Sequence, residues 1–345
     1  MTKISDEEKI AYHSLALTIE SAYPGLRKLK ERFGSWEAAW QGTKKTEDKK
    51  RRETDWRTLL DLGITLILKD DHEYPPQLRE IPSPPLGIYI LGNLPPYERP
   101  ALAIVGTRKA TDAGKDAAKT FSRELAAAKV TIVSGLAFGV DAAAHQGCLE
   151  GGGITVAVLA HGLNEIYPRS HTELGKEIIK RGGALISEYP PGTPSLPYRF
   201  LERNRIVSGL SRGILVVEAP ENSGALATAR FALEQNRDIF VIPGPASHPN
   251  FSGSHRLIRE GAELVTTPGH ILESLGIDTV HSNTQIAHST SEEVLVLKAL
   301  ASSLSALSVD KIVQITNLEV QAVNQAVSLL LIKNAIKETE HGYAV

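Results

Sequence analysis

The 345-residue sequence has a single cysteine, no strong excess of either charge and no long apolar run. The lone thiol, Cys148, excludes internal disulfides and cysteine-cluster metal sites, and it fits a reducing compartment. No run approaches the roughly 18 apolar residues that a membrane span needs. The N-terminal residues also lack the apolar core of a signal peptide. We therefore expect a cytoplasmic protein without a membrane partner.

The signatures of nucleotide-using enzymes are missing as well. In the only P-loop-like stretch Lys115 is followed by Asp116, and the glycine run from Gly151 places Val156 where a dinucleotide motif needs glycine. Metalloprotease and nucleophile-elbow motifs are absent too. Asp141 and His145 stand four apart without a third ligand, so we interpret them as a helix-start residue and a packing residue. We expect no enzyme activity, no metal and no cofactor.

A formal net charge of −2 means that any nucleic-acid site must be a local patch. The densest basic run, residues 44–53, is interrupted by acidic residues. We interpret it as a solvated connector between helices.

Alternating apolar runs and helical segments predict an α/β fold with an extended, Rossmann-like parallel sheet. Residues 1–75 predict a small helical module of the SAM or helix-hairpin-helix kind, and 76–280 the Rossmann-like domain. Residues 281–291 are polar and predict a linker, and 292–345 predict a winged-helix-like domain. Its presumptive recognition helix, 318–331, contains no lysine or arginine, which favours packing or protein contact although the fold type commonly binds DNA.

Two strands of the predicted sheet end in turns suited to phosphate. Gly106-Thr107-Arg108 follows one strand, and Ser134-Gly135 follows the next. A glycine admits a ligand to the backbone, a hydroxyl can donate a hydrogen bond, and a guanidinium matches phosphate oxygens. Neighbouring parallel strands place both turns at one sheet edge. Tight structural turns with an exposed arginine remain the alternative.

A third candidate is an arginine-rich segment with aromatic residues between its cations. Its members are Arg199, Arg203, Arg205, Arg212, Tyr198 and Phe200, with Glu202 as the opposing acid. Guanidinium groups can hold phosphates while a ring supports an unstacked base, as single-stranded nucleic acid requires. The alternative is a helix with an arginine-rich exposed face and Phe200 in the core.

Weaker signals could complete a rim around these turns. Arg169 and the turn that starts at Ser223 supply a cation and backbone amides. Glu218 ends a strand, where it could bond a ribose hydroxyl or cap the following turn.

Long motifs through the central region resemble the DNA-processing protein A (DprA/Smf) family. They are GTR at 106–108, SGLAFGVDAAAH at 134–145, GGGITVAVLAHGL at 151–163, YP at 167–168, SEYPPG at 187–192, ERNRIVSGLS at 202–211, VVEAPENSGALATA at 216–229 and VIPG at 241–244. The resemblance implies a protein that protects incoming single-stranded DNA during natural transformation, helps to load the RecA recombinase and forms homodimers.

The resemblance and the turns together define the expected site residues. Those expected to contact DNA are Gly106, Thr107, Arg108, Ser134, Gly135, Arg169, Arg199, Phe200, Arg203, Asn204 and Arg205. Those expected in homodimer and RecA contact are His255, Ile258 and Leu264. Two departures from the family pattern are Pro197, where some members have lysine, and GTR in place of GSR. A Rossmann-like enzyme that binds or hydrolyses nucleotides is the alternative function.

Overall fold

The computed structural model describes residues 3–18, 22–43, 49–277, 291–303, 306–332, 335–339 and 342–344. The chain forms two compact units, Met1–Asp278 and Thr279–Val345. The predicted linker lies outside the described residues except for Ser291, where a helix begins. Within the described ranges, no helix has both the length and the apolarity needed to cross a bilayer.

The first unit begins with four helices that share a core. They are α1 (Asp6–Thr18), α2 (Ala22–Phe33), α3 (Trp36–Gly42) and α4 (Lys49–Asp61). The ring of Tyr12 meets that of Trp36 edge to face at 4.9 Å between centroids, in the buried cluster beneath these helices. Ser35 caps α3, because its side chain accepts a hydrogen bond from the Ala38 amide at 3.1 Å.

A nine-stranded sheet follows. Its strands are β1 (Ile64–Leu68), β2 (Gly87–Gly92), β3 (Ala101–Val105), β4 (Thr131–Ser134), β5 (Thr155–Val158), β6 (Ala184–Ser187), β7 (Gly213–Val216), β8 (Asp238–Val241) and β9 (Glu263–Leu264). The order is β1-β2-β6-β5-β4-β3-β7-β8-β9, and all neighbours pair parallel except β2, which is antiparallel to both β1 and β6. The predicted Rossmann-like α/β fold is confirmed. Sequence analysis missed β1, which lies inside the predicted helical module.

The direction of winding changes at β3. From β3 the chain moves outward through β4, β5 and β6, and it then returns to place β7 on the other side of β3. Such a change of direction opens a crevice at the carboxyl ends of the two central strands. The turn after β3 and the turn after β7 therefore border one crevice.

Helices cover both faces of the sheet. They are α5 (Pro76–Arg79), α6 (Asp112–Ala127), α7 (Val140–Glu150), α8 (Thr172–Lys180), α9 (Pro197–Gly209), α10 (Gly224–Glu234), α11 (Ser252–Arg259) and α12 (Pro268–Ser274). Ala103 and Val105 of β3 share a buried cluster with α9 and α10, whereas Leu102 and Ile104 share one with α6 and α7. Burial on both faces explains why the strands are continuous apolar runs.

The second unit has the element order helix, helix, helix, hairpin. Its elements are α13 (Ser291–Ala301), α14 (Val309–Thr316), α15 (Val320–Ile332), β10 (Lys337–Thr339) and β11 (Gly342–Ala344). Asn317 ends α14 in the left-handed conformation, and β10 pairs antiparallel with β11. The predicted hairpin is present, while the winged-helix assignment stays a prediction.

Candidate functional site

The turn after β3 packs too tightly for any residue but glycine at position 106. A Cβ on Gly106 would lie 2.4 Å from Val140 Cγ2 and 3.0 Å from the Glu218 carbonyl oxygen. The Thr107 amide donates to that carbonyl at 2.7 Å, and the Lys109 amide donates to the Thr107 hydroxyl at 3.2 Å. The turn is thus fixed to β7, and Arg108 and Lys109 are left exposed.

The buried carboxylate of Glu218 holds the rest of this turn. It accepts the Thr111 amide at 3.1 Å, the Thr111 hydroxyl, and Asn250 Nδ2 at 2.8 Å. Asn250 Nδ2 also lies 3.0 Å from the Lys109 carbonyl oxygen. Glu218 therefore orders the turn after β3, whereas the sequence had left open a ribose contact or a cap of the turn that follows Glu218 in the chain.

The second turn, after β4, uses its polar groups internally. The Ser134 hydroxyl donates to the Ile104 carbonyl at 2.7 Å, and the Gly135 and Ala137 amides donate to Asp141 Oδ2 at 3.1 and 3.3 Å. Burial raises the pKa of Asp141, while the charge of Arg203 and these amides limit the rise. Hence neither the Ser134 hydroxyl nor the Gly135 amide is available to a phosphate in this arrangement.

A close approach joins the two turns. Gly139 has φ +76°, and a Cβ there would lie 2.3 Å from the Thr107 carbonyl oxygen. The Val140 amide, at the start of α7, reaches that same oxygen at 3.4 Å. The side-by-side placement predicted for the two turns is therefore present.

Arg203 on α9 is buried behind the second turn. It donates to the Gly135 carbonyl oxygen at 2.8 Å and also to the Val158 carbonyl oxygen. Burial lowers its pKa to about 10, and the Asp141 carboxylate opposes the shift. Arg203 therefore adds positive charge to the site from beneath while it holds β4, β5 and α9 together.

Two other arginines of α9 have partners inside the protein. Arg205 is buried and forms a two-pronged ion pair with Glu188 at 2.8 and 2.7 Å. Burial acts to lower the pKa of Arg205, but Glu188 outweighs burial and raises it. Arg199 is buried too and donates to the Pro194 carbonyl oxygen at 2.5 Å. The arginine-rich exposed face of the alternative interpretation is therefore not formed, because α9 turns these side chains inward.

Seven of the predicted residues border a cleft of about 400 Å³ at the switch point of the sheet: Gly106, Thr107, Arg108, Gly135, Phe200, Arg203 and Asn204. Its lining includes Gly106, Thr107, Arg108, Lys109, Gly135, Asp141, Phe200, Arg203, Asn204, Ser223 and Gly224. The Arg108 guanidinium carbon lies 4.9 Å from the centre of the Phe200 ring. Asn204 Nδ2 donates to the Gly224 carbonyl at 3.3 Å and so ties α9 to α10. Sequence analysis missed Lys109, although it directly follows the predicted turn.

The first turn of α10 forms the opposite wall. Ser223 caps this helix by accepting from the Ala225 amide at 3.2 Å, and a Cβ on Gly224 would meet nothing within 4 Å. A helix N-terminus carries partial positive charge. The cleft is therefore bordered by the exposed Arg108 and Lys109, by the buried Arg203 and by the N-terminus of α10. The Phe200 ring lines it as well.

Arg169 is exposed but does not line the cleft. It starts a short 3₁₀ helix, Arg169–His171, which follows the Tyr167-Pro168 pair. His171 Nδ1 donates to the Leu136 carbonyl at 2.9 Å, and the His171 ring packs on Phe138 at 4.9 Å. Arg169 thus belongs to a segment that is fixed to the second turn.

His255, Ile258 and Leu264 lie near the opposite edge of the sheet from β1. His255 and Ile258 belong to α11, and Leu264 belongs to β9, the last strand. The Leu264 side chain is 46% exposed. The structure brings these three residues to one region, well separated in the strand order from β1 and β2.

The part of the chain that forms this cleft is similar to known proteins of one family. Residues 65–276 match the model of DNA recombination-mediator protein A. The chain is 47% identical to Protein Smf of Escherichia coli over 210 residues, which are 61% of this chain and 56% of that protein. It is 40% identical to DNA processing protein DprA of Streptococcus pneumoniae over 202 residues, 59% of this chain and 71% of that protein. The chain thus spans about half the length of Protein Smf.

Solved structures agree with this match. The X-ray structure of DprA from Streptococcus pneumoniae has a TM-score of 0.67 at 30% identity and covers 79% of this chain and 98% of its own. DNA processing protein A from Helicobacter pylori, solved in work on its unique single-stranded DNA binding mode, has a TM-score of 0.56 at 28% identity and covers 62% and 96%. Because the matched family model covers more than half of the chain and includes all three turns of the cleft, the chain belongs to the DNA recombination-mediator protein A family, as its motifs predicted.

Proposed function

We propose that this chain is a non-enzymatic mediator of recombination that binds single-stranded DNA in the cleft. The observation that carries the proposal is the contact between the exposed Arg108 guanidinium and the Phe200 ring at the switch point of the sheet. A phosphate can pair with the guanidinium while a base stacks on the ring beside it. Lys109 and the N-terminus of α10 extend the positive potential along the same cleft.

We propose different roles for the predicted DNA residues, according to the contacts that each makes. Arg108, Phe200 and Asn204 border the cleft and are proposed to contact DNA, with Gly106 and Thr107 shaping the turn. Ser134, Gly135, Arg199, Arg203 and Arg205 make internal contacts and are proposed to support the site. Arg169, beside the second turn, is proposed to contact the strand outside the cleft. The absence of lysine at Pro197 is then compensated by Lys109 on the facing turn.

A fluorescence-anisotropy titration with labelled oligo-dT tests this function directly. We expect binding that weakens as salt is added, and competition by unlabelled oligo-dT and mixed-sequence strands to similar extents, because backbone charge and ring stacking do not read sequence. Duplex DNA should compete less well, since its bases are not free to stack on Phe200. Equal competition by duplex, or no binding at low salt, would refute the proposal.

The alternative, a nucleotide-hydrolysing enzyme, is less well supported. Glu218, its candidate active-site carboxylate, is fully buried and already accepts hydrogen bonds from Thr111 and Asn250. We therefore assign Glu218 to holding the Arg108 turn. Release of free base from nucleoside monophosphates by the purified protein would favour the enzyme instead.

We further propose that the protein forms homodimers through α11 and β9, and that the same region contacts RecA. The proposal rests on the family membership, on the exposure of Leu264 and on the free edge that the short strand β9 leaves on the sheet. We also propose that the protein acts in the cytoplasm, on DNA that enters the cell during natural transformation. The proposal also includes the division into a helical module at 1–75, a Rossmann-like domain at 76–280, a linker at 281–291 and a winged-helix-like domain at 292–345.

Replacing Leu264 with aspartate tests the dimer. The wild-type protein should sediment as a dimer and Leu264→Asp as a monomer with an unchanged circular-dichroism spectrum, because a carboxylate at an apolar contact must be desolvated without a partner. Stimulation of RecA-driven strand exchange should fall in the same variant. A wild-type monomer, or a dimeric Leu264→Asp protein, would show that this edge is not the interface.

A further inference from the structure

A row of aromatic rings leads out of the cleft from Phe200. The Tyr167 ring centroid lies 6.1 Å from that of Phe200, with 59° between the ring planes. On its other side, the His161 ring centroid lies 6.3 Å from that of Tyr167, at 85°. Tyr167 does not line the cleft itself. The row therefore extends the aromatic surface beyond the Arg108 turn.

Tyr167 is supported from within and open to solvent. Its side chain is 47% exposed, whereas the His161 behind it is buried. The His161 ring is oriented in turn, because its Nδ1 donates to the Gly162 carbonyl oxygen at 2.9 Å. A ring held by such packing loses little conformational freedom when a ligand stacks on its free face.

One cation contacts this pair of rings, and a second exposed cation follows Tyr167 closely in the chain. Arg108 lies over Phe200, and Arg169 follows Tyr167 by two residues in an exposed turn. The 3₁₀ helix that carries Arg169 is fixed by the bond from His171 to the Leu136 carbonyl. Arg108 and Arg169 are therefore the candidate phosphate partners of a strand that crosses both rings.

Resting on the proposed single-stranded DNA binding, we propose that Tyr167 is a second base-stacking position and that a bound strand runs from Arg108 over Phe200 and Tyr167 towards Arg169. The 6.1 Å between the two ring centroids exceeds the roughly 3.4 Å rise between stacked bases. Neighbouring bases must therefore separate, and each rests on a ring of its own. This arrangement holds an unstacked strand and rejects a duplex.

Anisotropy titrations with oligo-dT and with an abasic strand of equal length test the role of Tyr167. Tyr167→Ala should bind oligo-dT roughly 5- to 100-fold more weakly, as the loss of one base–ring stack requires. The abasic strand should bind the variant and the wild type alike, since it has no base to stack. Tyr167→Phe should keep the wild-type affinity. Tyr97→Ala is the matched control, because Tyr97 is 61% exposed and lies in the segment before β3, away from the cleft.

The outcomes separate this inference from the proposed function. If Arg108→Ala weakens binding but Tyr167→Ala does not, Tyr167 is not a second stacking position, while the proposed binding of DNA in the cleft is still supported. An equal loss for dT and abasic strands would also overturn it, because the effect would then be on backbone contact or on folding. If the wild-type protein does not bind oligo-dT, the proposed function itself fails.

Discussion

Arg108→Ala should weaken single-stranded DNA binding by about 10- to 100-fold at low salt, the equivalent of one charge-assisted contact of about 1.5–3 kcal/mol. The variant removes an exposed guanidinium and leaves the Phe200 ring without its cation. The backbone of the turn is held by Glu218 rather than by the Arg108 side chain, so the fold should be unaffected. Anisotropy titrations across a salt series measure the change.

The salt series identifies the cause of the loss. Removing one phosphate contact should reduce the slope of log K against log salt by about 0.7, the value per phosphate for single strands. Arg108→Lys should restore the slope but only part of the affinity, because a lysine keeps the charge and lacks the planar fork. Arg212→Ala is the matched control, since Arg212 is exposed at the amino end of β7, away from the cleft. An unchanged affinity in Arg108→Ala would remove Arg108 from the site.

Glu188→Ala should lower the free energy of unfolding by about 3–5 kcal/mol, because it removes the carboxylate that pairs with both prongs of the buried Arg205 guanidinium. The side chains of Arg205 and Glu188 are only 8% and 5% exposed, and both guanidinium prongs are paired. Arg205 also donates to the Ser83 and Glu202 carbonyl oxygens, which carry no formal charge. Urea unfolding followed by circular dichroism gives the change in stability.

A double variant separates the loss of the pair from the burial of a lone charge. Glu188→Leu with Arg205→Met replaces both ions by apolar groups, and we expect it to be more stable than Glu188→Ala. It should also keep the affinity for oligo-dT, because Arg205 does not line the cleft. If the double variant folds but no longer binds DNA, Arg205 contacts DNA, as the family resemblance predicted, and our assignment of a supporting role is wrong.

The parts of the fold that the sequence predicted best are local. Apolar runs of strand length, several of them ending in glycine, predicted strands β3 to β9 of the sheet, and most of these strands are buried on both faces, where polar residues are not needed. The strand β1 was missed because five residues between two helical stretches carry too weak a signal by themselves. Its pairing with β2 decides its conformation. The apolar residues of β1 and β2 do not by themselves indicate that β2 is antiparallel to its two neighbours.

The arginines of α9 show that a local sequence pattern does not predict which charged side chains are buried. A sequence with Arg199, Arg203 and Arg205 beside aromatic residues predicted a cationic face. In the structure, Arg203 donates to carbonyl oxygens of the second turn and of β5. Arg205 forms an ion pair with Glu188. These partners lie 17 to 68 residues away along the chain. No local pattern indicates whether such a partner will be within reach.

Residue order within short segments was enough to predict the family, the α/β class and the turns that border the cleft. Which cations face the cleft depends instead on contacts between distant segments. The tertiary structure left Arg108 and Lys109 exposed, turned Arg199, Arg203 and Arg205 inward, and made Glu218 a support for the turn. It also placed Tyr167 next to Phe200. The reason is physical: a buried charge goes where distant segments supply its hydrogen-bond partners, and folding alone brings those segments together.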